Sequence, residues 1–318
     1  MARVVMHCGG CLMSVAFAFP GQSLQSPGMF HNLIEHPAVH RTLEEISQAL
    51  HSGVRNLDTE HCLEFSVSVQ LAVFASGVSS ALALMDEGIR PVAVSGLSVG
   101  AFASAVTAGV LGLREAVELV RLRAEEMTKL YPNGYGLSAI LALTEVQVTR
   151  IVEAATTPNS TVYAGNINAP RQIVIAGANF AMDKVLEEAL RQGARKAVRF
   201  MCQFYLTARC FSPWQTNFKN RFPRYLSARQ QRFMVETLAR ALRKKQLVSN
   251  DLASNIAHGV RWHNATTVLK ELGCSLFLEM PPGHVLSDLL KRISLMLSPY
   301  RSNRGSLLKI GRVARRCH

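Results

Sequence analysis

The residue best placed to do chemistry in this sequence is Ser98, which stands in a Gly-x-Ser-x-Gly motif with Gly96 and Gly100. The apolar residues 91–95 before the motif read as a short strand, and the small residues 101–111 after it read as a helix. This order predicts a nucleophile elbow, in which the glycines permit the sharp turn. Ser98 would then lie at a helix N-terminus, where backbone N–H groups can stabilise an oxyanion. An ordinary Gly/Ser turn is the alternative for the motif taken alone.

Three other segments accompany the elbow. Phe-Ala-Phe-Pro-Gly-Gln occupies residues 17–22, Leu-Val-Arg-Leu-Arg occupies 119–123, and Asn-Ala-Pro-Arg-Gln begins the stretch 168–177. Together with the elbow, and in this order, the segments resemble the malonyl-CoA:acyl-carrier-protein transacylases. The resemblance covers roughly residues 13–199 and 250–290.

A finer resemblance, to the malonate decarboxylase epsilon subunit, rests on four segments. They are Gly-Leu-Ser-Val-Gly-Ala-Phe at 96–102, Tyr-Pro-Asn-Gly-Tyr-Gly at 131–136, Asn-Ile-Ala-His-Gly-Val-Arg-Trp-His at 255–263 and Glu-Met-Pro-Pro-Gly-His at 279–284. The wider family more often has histidine where Leu97 stands. The resemblance implies malonyl-CoA as substrate, no bound cofactor, and a phosphopantetheine-type thiol on the acyl-carrier protein subunit of malonate decarboxylase as acceptor.

The resemblance also implies a role for each candidate site residue. Ser98 would attack malonyl-CoA and carry the malonyl group as an ester, while the backbone N–H groups of Gln22 and Val99 would bind the oxyanion. Arg123 would pair with the free malonyl carboxylate, which suits its planar, bidentate fork. The alternatives are an ordinary turn at Gln22 and a solvated helix position for Arg123, such as we expect for Arg121.

The base expected beside the serine is missing. The family pairs its serine with a histidine that follows the Ala-Gly matched by Ala176-Gly177, at a spacing that lands on Thr207, and the chain has no histidine between residues 62 and 257. Loss of the base in a serine hydrolase costs on the order of 10⁶ in turnover. Activity from the oxyanion site and from substrate binding would remain.

A local change of reading frame would explain the missing histidine. Permitted codons for residues 204–211, read from the third base of the first codon, translate as Leu-Ser-His-Cys-Pro-Leu-Leu and restore the family segment, with Leu in place of its Pro. The shifted His codon spans Leu206 and Thr207. We therefore hypothesise that roughly residues 199–225 are translated out of frame, and that the frame has returned by Asp251.

Other polar residues in family-like segments have less direct roles. Asn168 and Gln172 are expected to shape a loop near the site rather than to do chemistry. His258, His263 and His284 have places of their own in such segments, so each is expected to be a core or rim histidine and not a substitute base.

Composition restricts the classes of partner. The formal net charge is +13, but residues 191–245 contain 14 Lys or Arg and one acid, and residues 291–318 contain 8 Lys or Arg and no acid. Both stretches lie where the family match fails, and no recognised nucleic-acid motif accompanies them. We therefore predict no nucleic-acid partner.

Cysteine usage and hydropathy bear on compartment. The sequence has 7 cysteines, an odd number, and their spread along the chain favours reduced thiols in a cytoplasmic protein over a disulfide framework. Cys8 and Cys11 have metal or redox spacing, but no second pair completes a site, so no metal is predicted. The sequence has no run of about 18 uncharged apolar residues, so no membrane span is expected. Residues 1–13 make a poor signal peptide, and Met13 is an alternative start.

The pattern along the chain predicts alternating strands and helices. Residues 14–19 read as a buried strand, residues 38–51 as a helix, and residues 66–86 as a longer helix with Val67, Leu71, Phe74 and Ala75 on one face. Such alternation indicates an α/β fold with a parallel sheet covered by helices.

The resemblance implies a hydrolase-like parallel sheet core with an inserted small ferredoxin-like α+β subdomain. The large acyltransferase domain would then be discontinuous, comprising residues 13–131 and 204–295, and the small subdomain would comprise residues 132–203. Residues 1–12 and 296–318 would be tails of uncertain structure.

Three functions remain open from the sequence. The first is an acyltransferase of malonyl groups within malonate decarboxylase, impaired by the missing histidine. The second is a general serine hydrolase of α/β type, against which Arg123 argues because an esterase needs no carboxylate clamp. The third is a non-enzymatic subunit that binds the carrier protein.

Overall fold

Helices and strands alternate along the chain in the computed structural model, which describes residues 6–8, 11–22, 24–130, 134–200, 233–235, 238–255, 258–293 and 298–301. The helices are α1 (Pro37–Leu50), α2 (Ser66–Asp86), α3 (Gly100–Thr107), α4 (Leu113–Leu130), α5 (Glu145–Ala155), α6 (Asn179–Arg191), α7 (Lys245–Ser254), α8 (Trp262–Glu271) and α9 (Val285–Ile293). The strands are β1 (Met6–Cys8), β2 (Cys11–Met13), β3 (Val15–Phe19), β4 (Ala93–Gly96), β5 (Tyr135–Leu141), β6 (Val162–Ala169), β7 (Gln172–Ala178), β8 (Lys196–Arg199), β9 (Phe233–Val235), β10 (Ala241–Leu242), β11 (Leu276–Glu279) and β12 (Ser298–Arg301).

The large sheet positions the elbow. Its strand order is β10-β9-β4-β3-β11-β12, in which every neighbouring pair from β9 to β12 is parallel and β10 is antiparallel at one edge. All of β3 is buried, as expected for an apolar run in a parallel sheet that is covered on both faces. In register, Phe19 at the end of β3 pairs with Gly96 at the end of β4. Ligands of open α/β sheets bind beyond this carboxyl edge.

A second, smaller sheet is antiparallel throughout. Its strand order is β6-β7-β5-β8, and its chain order, with helices, is β5-α5-β6-β7-α6-β8. One face forms a core of its own under α5 and α6, in which Ile140 and Val185 are fully buried. On the other face, Leu137, Tyr163 and Ala176 join the main core of the large sheet. We refer to residues 134–200 as the small unit.

Helix α2 is central to the main core. It is long and apolar enough to cross a membrane, but 83% of its apolar window is buried inside the protein, as is typical of a core helix. Helices α1, α3 and α4 all contact it. Val69, Val78 and Leu84 are fully buried, whereas Val67 is only partly buried. Burial therefore extends around the helix and is not limited to the single face expected from the sequence.

The expected elements correspond to observed ones as far as residue 199. The predicted helices 38–51 and 66–86 are α1 and α2, and the predicted strand 14–19 is β3. Thr207 and the remainder of the stretch 199–225 lie beyond Phe200 and outside the described residues, so the predictions made for them stay predictions.

Candidate active site

Ser98 lies on the sharp turn between β4 and α3. Its φ is 57°, in the left-handed region that serine rarely adopts, which is the strained geometry of a nucleophile elbow. A Cβ on Gly96 would lie 2.2 Å from the carbonyl carbon of Gly100, and a Cβ on Gly100 would lie 2.4 Å from the carbonyl oxygen of Phe19. The Leu97 N–H donates to the same Phe19 oxygen at 2.9 Å. The motif's glycines are therefore required for the turn to pack on the end of β3.

The two residues expected to bind the oxyanion, Gln22 and Val99, lie in segments that meet at the elbow. A Cβ on Gly21 would be 3.5 Å from the Ser98 Cβ, so the segment that leads into Gln22 lies against the elbow. Val99 is the N-cap residue of α3, where the first amides of a helix have no intrahelical acceptor. Among the described residues, neither the Gln22 N–H nor the Val99 N–H donates a hydrogen bond. Within the described residues both N–H groups are therefore free donors, as the expected oxyanion role requires.

Arg123 meets Ser98 in the interior. Its Nη2 donates to the Ser98 Oγ at 2.9 Å, and its Nη1 donates to the Oε1 of Gln70. The side chain is 1% exposed, so the solvated alternative does not hold. The buried positions of α4 include Leu119, Val120, Arg123 and Met127, a helical spacing that turns this arginine inward.

The charge on Arg123 has no counter-ion in the described part of the chain. Arg123 forms no ion pair there, and its Nε has no hydrogen-bond partner. Burial lowers the pKa of Arg123 well below its ordinary value, to about 9. A buried cation without a partner is costly, and an anion placed beside it would remove that cost. The site is therefore suited to a ligand that brings a carboxylate close to the Ser98 hydroxyl.

Gln70 is a site residue that the sequence analysis did not identify. It lies on α2 and is fully buried, and its Nε2 donates to the Ser66 Oγ at 3.2 Å and to the Met127 Sδ at 3.6 Å. Its Oε1 accepts from Arg123 and so fixes the plane of the guanidinium group. The sequence did contain a signal for this residue, since Gln70 is a long amide side chain within an apolar helix. A buried amide needs hydrogen-bond partners, so its position indicates a polar contact inside the core.

The structure does not join Asn168 or Gln172 to the serine. Asn168 is the second-last residue of β6 and is buried, its Oδ1 has no hydrogen-bond partner among the described residues, and Gln172 begins β7. Within the described residues neither side chain contacts Ser98 or Arg123 through a hydrogen bond. Their place at the turn between two strands agrees with a role in shaping a loop.

No histidine reaches Ser98 in the described part of the chain, where the only hydrogen bond to its Oγ comes from Arg123. His284 is about half exposed and its Nδ1 lies 2.8 Å from Asp288. Burial lowers the pKa of His263, and His258 is exposed. Thr207, where the base is expected, is outside the described residues.

The cysteines and acidic residues do not form a metal centre within the described residues, where no group of three or more His, Cys, Asp or Glu could hold an ion. Cys8 and Cys11 are paired positions in the backbone register of β1 with β2. Cys62 and Cys274 are free thiols, and burial raises the pKa of Cys274 to about 11.

Comparison with known families gives a match over most of the chain. The acyl transferase domain family matches residues 16–292. The malonyl CoA-acyl carrier protein transacylase of Bacillus subtilis is 27% identical over 293 residues, which cover 90% of this chain and 92% of that protein. The corresponding protein of Staphylococcus aureus is 26% identical over 296 residues, which cover 89% and 93%.

Solved structures match at similar identity. The acyl-carrier-protein S-malonyltransferase from Burkholderia pseudomallei gives a TM-score of 0.87 at 28% identity, covering 94% of this chain and 99% of that chain. The malonyl CoA-acyl carrier protein transacylase from Coxiella burnetii gives a TM-score of 0.90 at 26% identity, covering 99% of this chain and 100% of that chain. The structure of a type II PKS acyl-carrier protein in complex with its malonyl-transacylase gives a TM-score of 0.88 at 25% identity, covering 94% of this chain and 98% of that chain. These matches confirm a mixed α/β fold of the acyltransferase type.

Proposed function

Because this chain belongs to the acyl transferase domain family, we propose that it moves a malonyl group from malonyl-CoA to the thiol of an acyl-carrier protein through an ester on Ser98. Relatives that align over nine-tenths of the chain are malonyl CoA-acyl carrier protein transacylases, so the chain is an S-malonyltransferase by resemblance. One structural relative is a complex of a malonyl-transacylase with its acyl-carrier protein, which supports a carrier protein as the partner.

The observation that carries the proposal is the contact between Arg123 and Ser98. A buried guanidinium group without a counter-ion donates to the Oγ of a serine on a strained elbow. A malonyl thioester would place its free carboxylate on Arg123 while its carbonyl carbon meets Ser98, and an acetyl group could make only the second contact. Gln70 occupies Nη1 and Ser98 takes one of the two N–H groups of Nη2, so the Nε N–H and the second Nη2 N–H would serve the carboxylate as a bidentate fork.

The chemistry would proceed in two acyl transfers. Ser98 Oγ attacks the thioester carbonyl, the backbone N–H groups of Gln22 and Val99 hold the oxyanion, and coenzyme A leaves as its thiol. The carrier thiol then attacks the malonyl ester and releases the serine. Each transfer needs a group that takes one proton and returns another. The family resemblance assigns this work to a histidine at the place of Thr207, so we expect acylation of Ser98 to be slow.

Three finer assignments belong to the same proposal. We infer that the partner is the carrier subunit of malonate decarboxylase, from the epsilon-subunit-like segments, and that the enzyme works in the cytoplasm. We infer a discontinuous large domain, 13–131 and 204–295, with a hydrolase-like sheet, and a ferredoxin-like small subdomain at 132–203. The strand orders of the two sheets support this division. The altered reading frame over about residues 199–225 stays a hypothesis that the nucleotide sequence tests.

Mass spectrometry of protein incubated with malonyl-CoA tests the proposal. We expect a malonyl adduct on the peptide that contains Ser98, formed slowly and absent from Ser98→Ala. In Arg123→Ala, malonyl transfer should fall by about 1.5–3 kcal/mol of transition-state stabilisation, the value of a charge-assisted hydrogen bond. Acetyl-CoA, which lacks the carboxylate, should be nearly unaffected.

Other outcomes of this experiment would favour other functions. Turnover of p-nitrophenyl acetate without labelling by malonyl-CoA would favour a general serine hydrolase. Carrier-protein binding with no acyl-serine would favour a non-enzymatic subunit. An equal loss of malonyl and acetyl transfer in Arg123→Ala would make this arginine structural.

A further inference from the structure

A second junction, remote in sequence from the elbow, joins the small unit to the segment before α8. The Ile167 N–H donates to the Val260 carbonyl oxygen at 2.9 Å, and the Val260 N–H donates to the Asn166 Oδ1 at 2.9 Å. The pairing of β6 with β7 shifts register on both sides of Ile167. The outer edge of β6 is thus free to pair with residue 260, which covers an otherwise open strand edge.

Two glycines bring the backbones together at this junction. A Cβ on Gly259 would lie 1.8 Å from the carbonyl oxygen of Gly165, a distance that no side chain can accommodate. Gly259 is not in the positive-φ region. The glycine is therefore required by the close approach of the two segments and not by its own backbone conformation.

One ion pair crosses the junction. Arg261 Nη2 lies 2.8 Å from the Glu145 Oε1, and Arg261 Nη1 lies 3.4 Å from the Glu145 Oε2, so the pair is bidentate. The two side chains are 41% and 39% exposed. An ion pair this exposed adds little stability, so it can open easily. While it is formed, its bidentate geometry fixes the orientation of the two segments. A cleft of about 540 Å³ beside it, lined by α5, β6 and residues 258–261, leaves room for such opening.

The junction is coupled to the large sheet on one side and to the α4 connection on the other. Trp262, directly after Arg261, is fully buried and packs edge-on against Phe277 of β11, with ring centroids 6.0 Å apart. β11 neighbours β3, whose end lies against the elbow. The small unit follows α4, which carries Arg123. The junction is thus a second attachment of the small unit, and it limits rotation of that unit about its connection to α4.

We propose that the contact of Gly165–Ile167 with Gly259–Arg261 is a latch that fixes the small unit against the large sheet, and that Arg261 is thereby a positioning residue for the acyl donor. The proposal rests on the proposed function, because a coenzyme A thioester is much longer than its malonyl group and must contact surfaces beyond Ser98 and Arg123. Arg261 does not touch the reacting atoms. It acts through the placement of the small unit.

Hydrogen exchange at the Ile167 amide measures the latch without any activity. In the full chain, Arg261→Gln should speed exchange at Ile167 by roughly two- to fivefold through local opening, the range that an exposed ion pair can supply. Gly259→Ala should do so without altering any charge, and Arg261→Lys should restore part of the protection. Arg191→Gln is the matched control, because its ion pairs with Glu187 and Glu188 stay within α6. Unchanged exchange at Ile167 in both Arg261→Gln and Gly259→Ala would refute the latch.

Binding and acylation measure the positioning role. In a Ser98→Ala background, Arg261→Gln should raise the Kd for malonyl-CoA by about fivefold, at the low end of coupling between sites. With Ser98 present, the labelling rate at saturating malonyl-CoA should be unchanged. Faster exchange at Ile167 with an unchanged Kd would overturn the positioning role and leave a structural contact. No malonyl-CoA binding with Arg261 intact, despite full protection at Ile167, would refute the proposed function and the positioning role while the latch itself stood.

Discussion

Replacement of Arg123 by methionine should make the ligand-free protein more stable. Burial lowers the pKa of Arg123 by several units from its ordinary value, to about 9. Since one pKa unit corresponds to about 1.4 kcal/mol, the charged guanidinium costs the folded state on the order of 5 kcal/mol. Methionine fills a comparable volume without charge, but it leaves the Gln70 Oε1 without its donor, which costs about 1–3 kcal/mol. We expect the free energy of unfolding to rise by about 2–4 kcal/mol.

The pH dependence of this gain has a definite sign. The folded pKa of Arg123 is below its unfolded value, so the unfolded chain binds more protons above pH 9. The penalty is therefore complete below the folded pKa and declines as pH rises above about 9 toward the ordinary pKa of arginine. The stability difference between Arg123→Met and the unsubstituted protein should shrink by about 1 kcal/mol between pH 7 and pH 10.

Urea unfolding at the two pH values, with and without malonate, measures both effects. Malonate should stabilise the unsubstituted protein by binding its folded state, and it should not stabilise Arg123→Met. Arg121→Met on the same helix is the matched control, because this partly exposed arginine should change stability by less than about 0.5 kcal/mol. An Arg123→Met protein that is less stable than the unsubstituted protein at pH 7 would mean that the charge is compensated in the fold, and the argument for a carboxylate site would fail.

Three further predictions concern the elbow, a buried carboxylate and the missing base. Ser98→Gly should be more stable than Ser98→Ala by about 1 kcal/mol in thermal unfolding, because only glycine accepts the left-handed φ without strain. Equal stability of the two variants would refute the argument that the elbow is strained. Glu279→Gln should lose about 1–3 kcal/mol in urea unfolding, since its buried carboxylate accepts two backbone N–H groups at the start of α9; an unchanged value would make that cap dispensable. Replacing residues 200–211 by the frame-shifted sequence should raise transfer from malonyl-CoA to carrier protein by orders of magnitude through a restored base; a well-folded repaired protein with no gain would refute the frame hypothesis or the assignment.

The sequence by itself determined the elements that local chemistry dictates. The continuous apolar run of β3 and the small residues around Ser98 can both be interpreted from a short stretch of chain. The strand, turn and helix around the nucleophile follow because Gly96 and Gly100 are the residues that permit that turn. The family resemblance added expected roles for Gln22, Val99 and Arg123, and the comparisons confirm the family.

The tertiary structure decided which distant residues meet. Gln70 precedes Arg123 by 53 positions, and only the packing of α2 on α4 turns its amide toward the guanidinium group. The lack of a counter-ion for Arg123 in the described residues is a property of its three-dimensional surroundings, which no spacing in the sequence records. Val260 and Asn166 are 94 positions apart, and their contact depends on how the small unit sits against the large sheet. Periodicity along a chain reports which face of an element is buried, whereas the partner on that face is chosen by packing between elements.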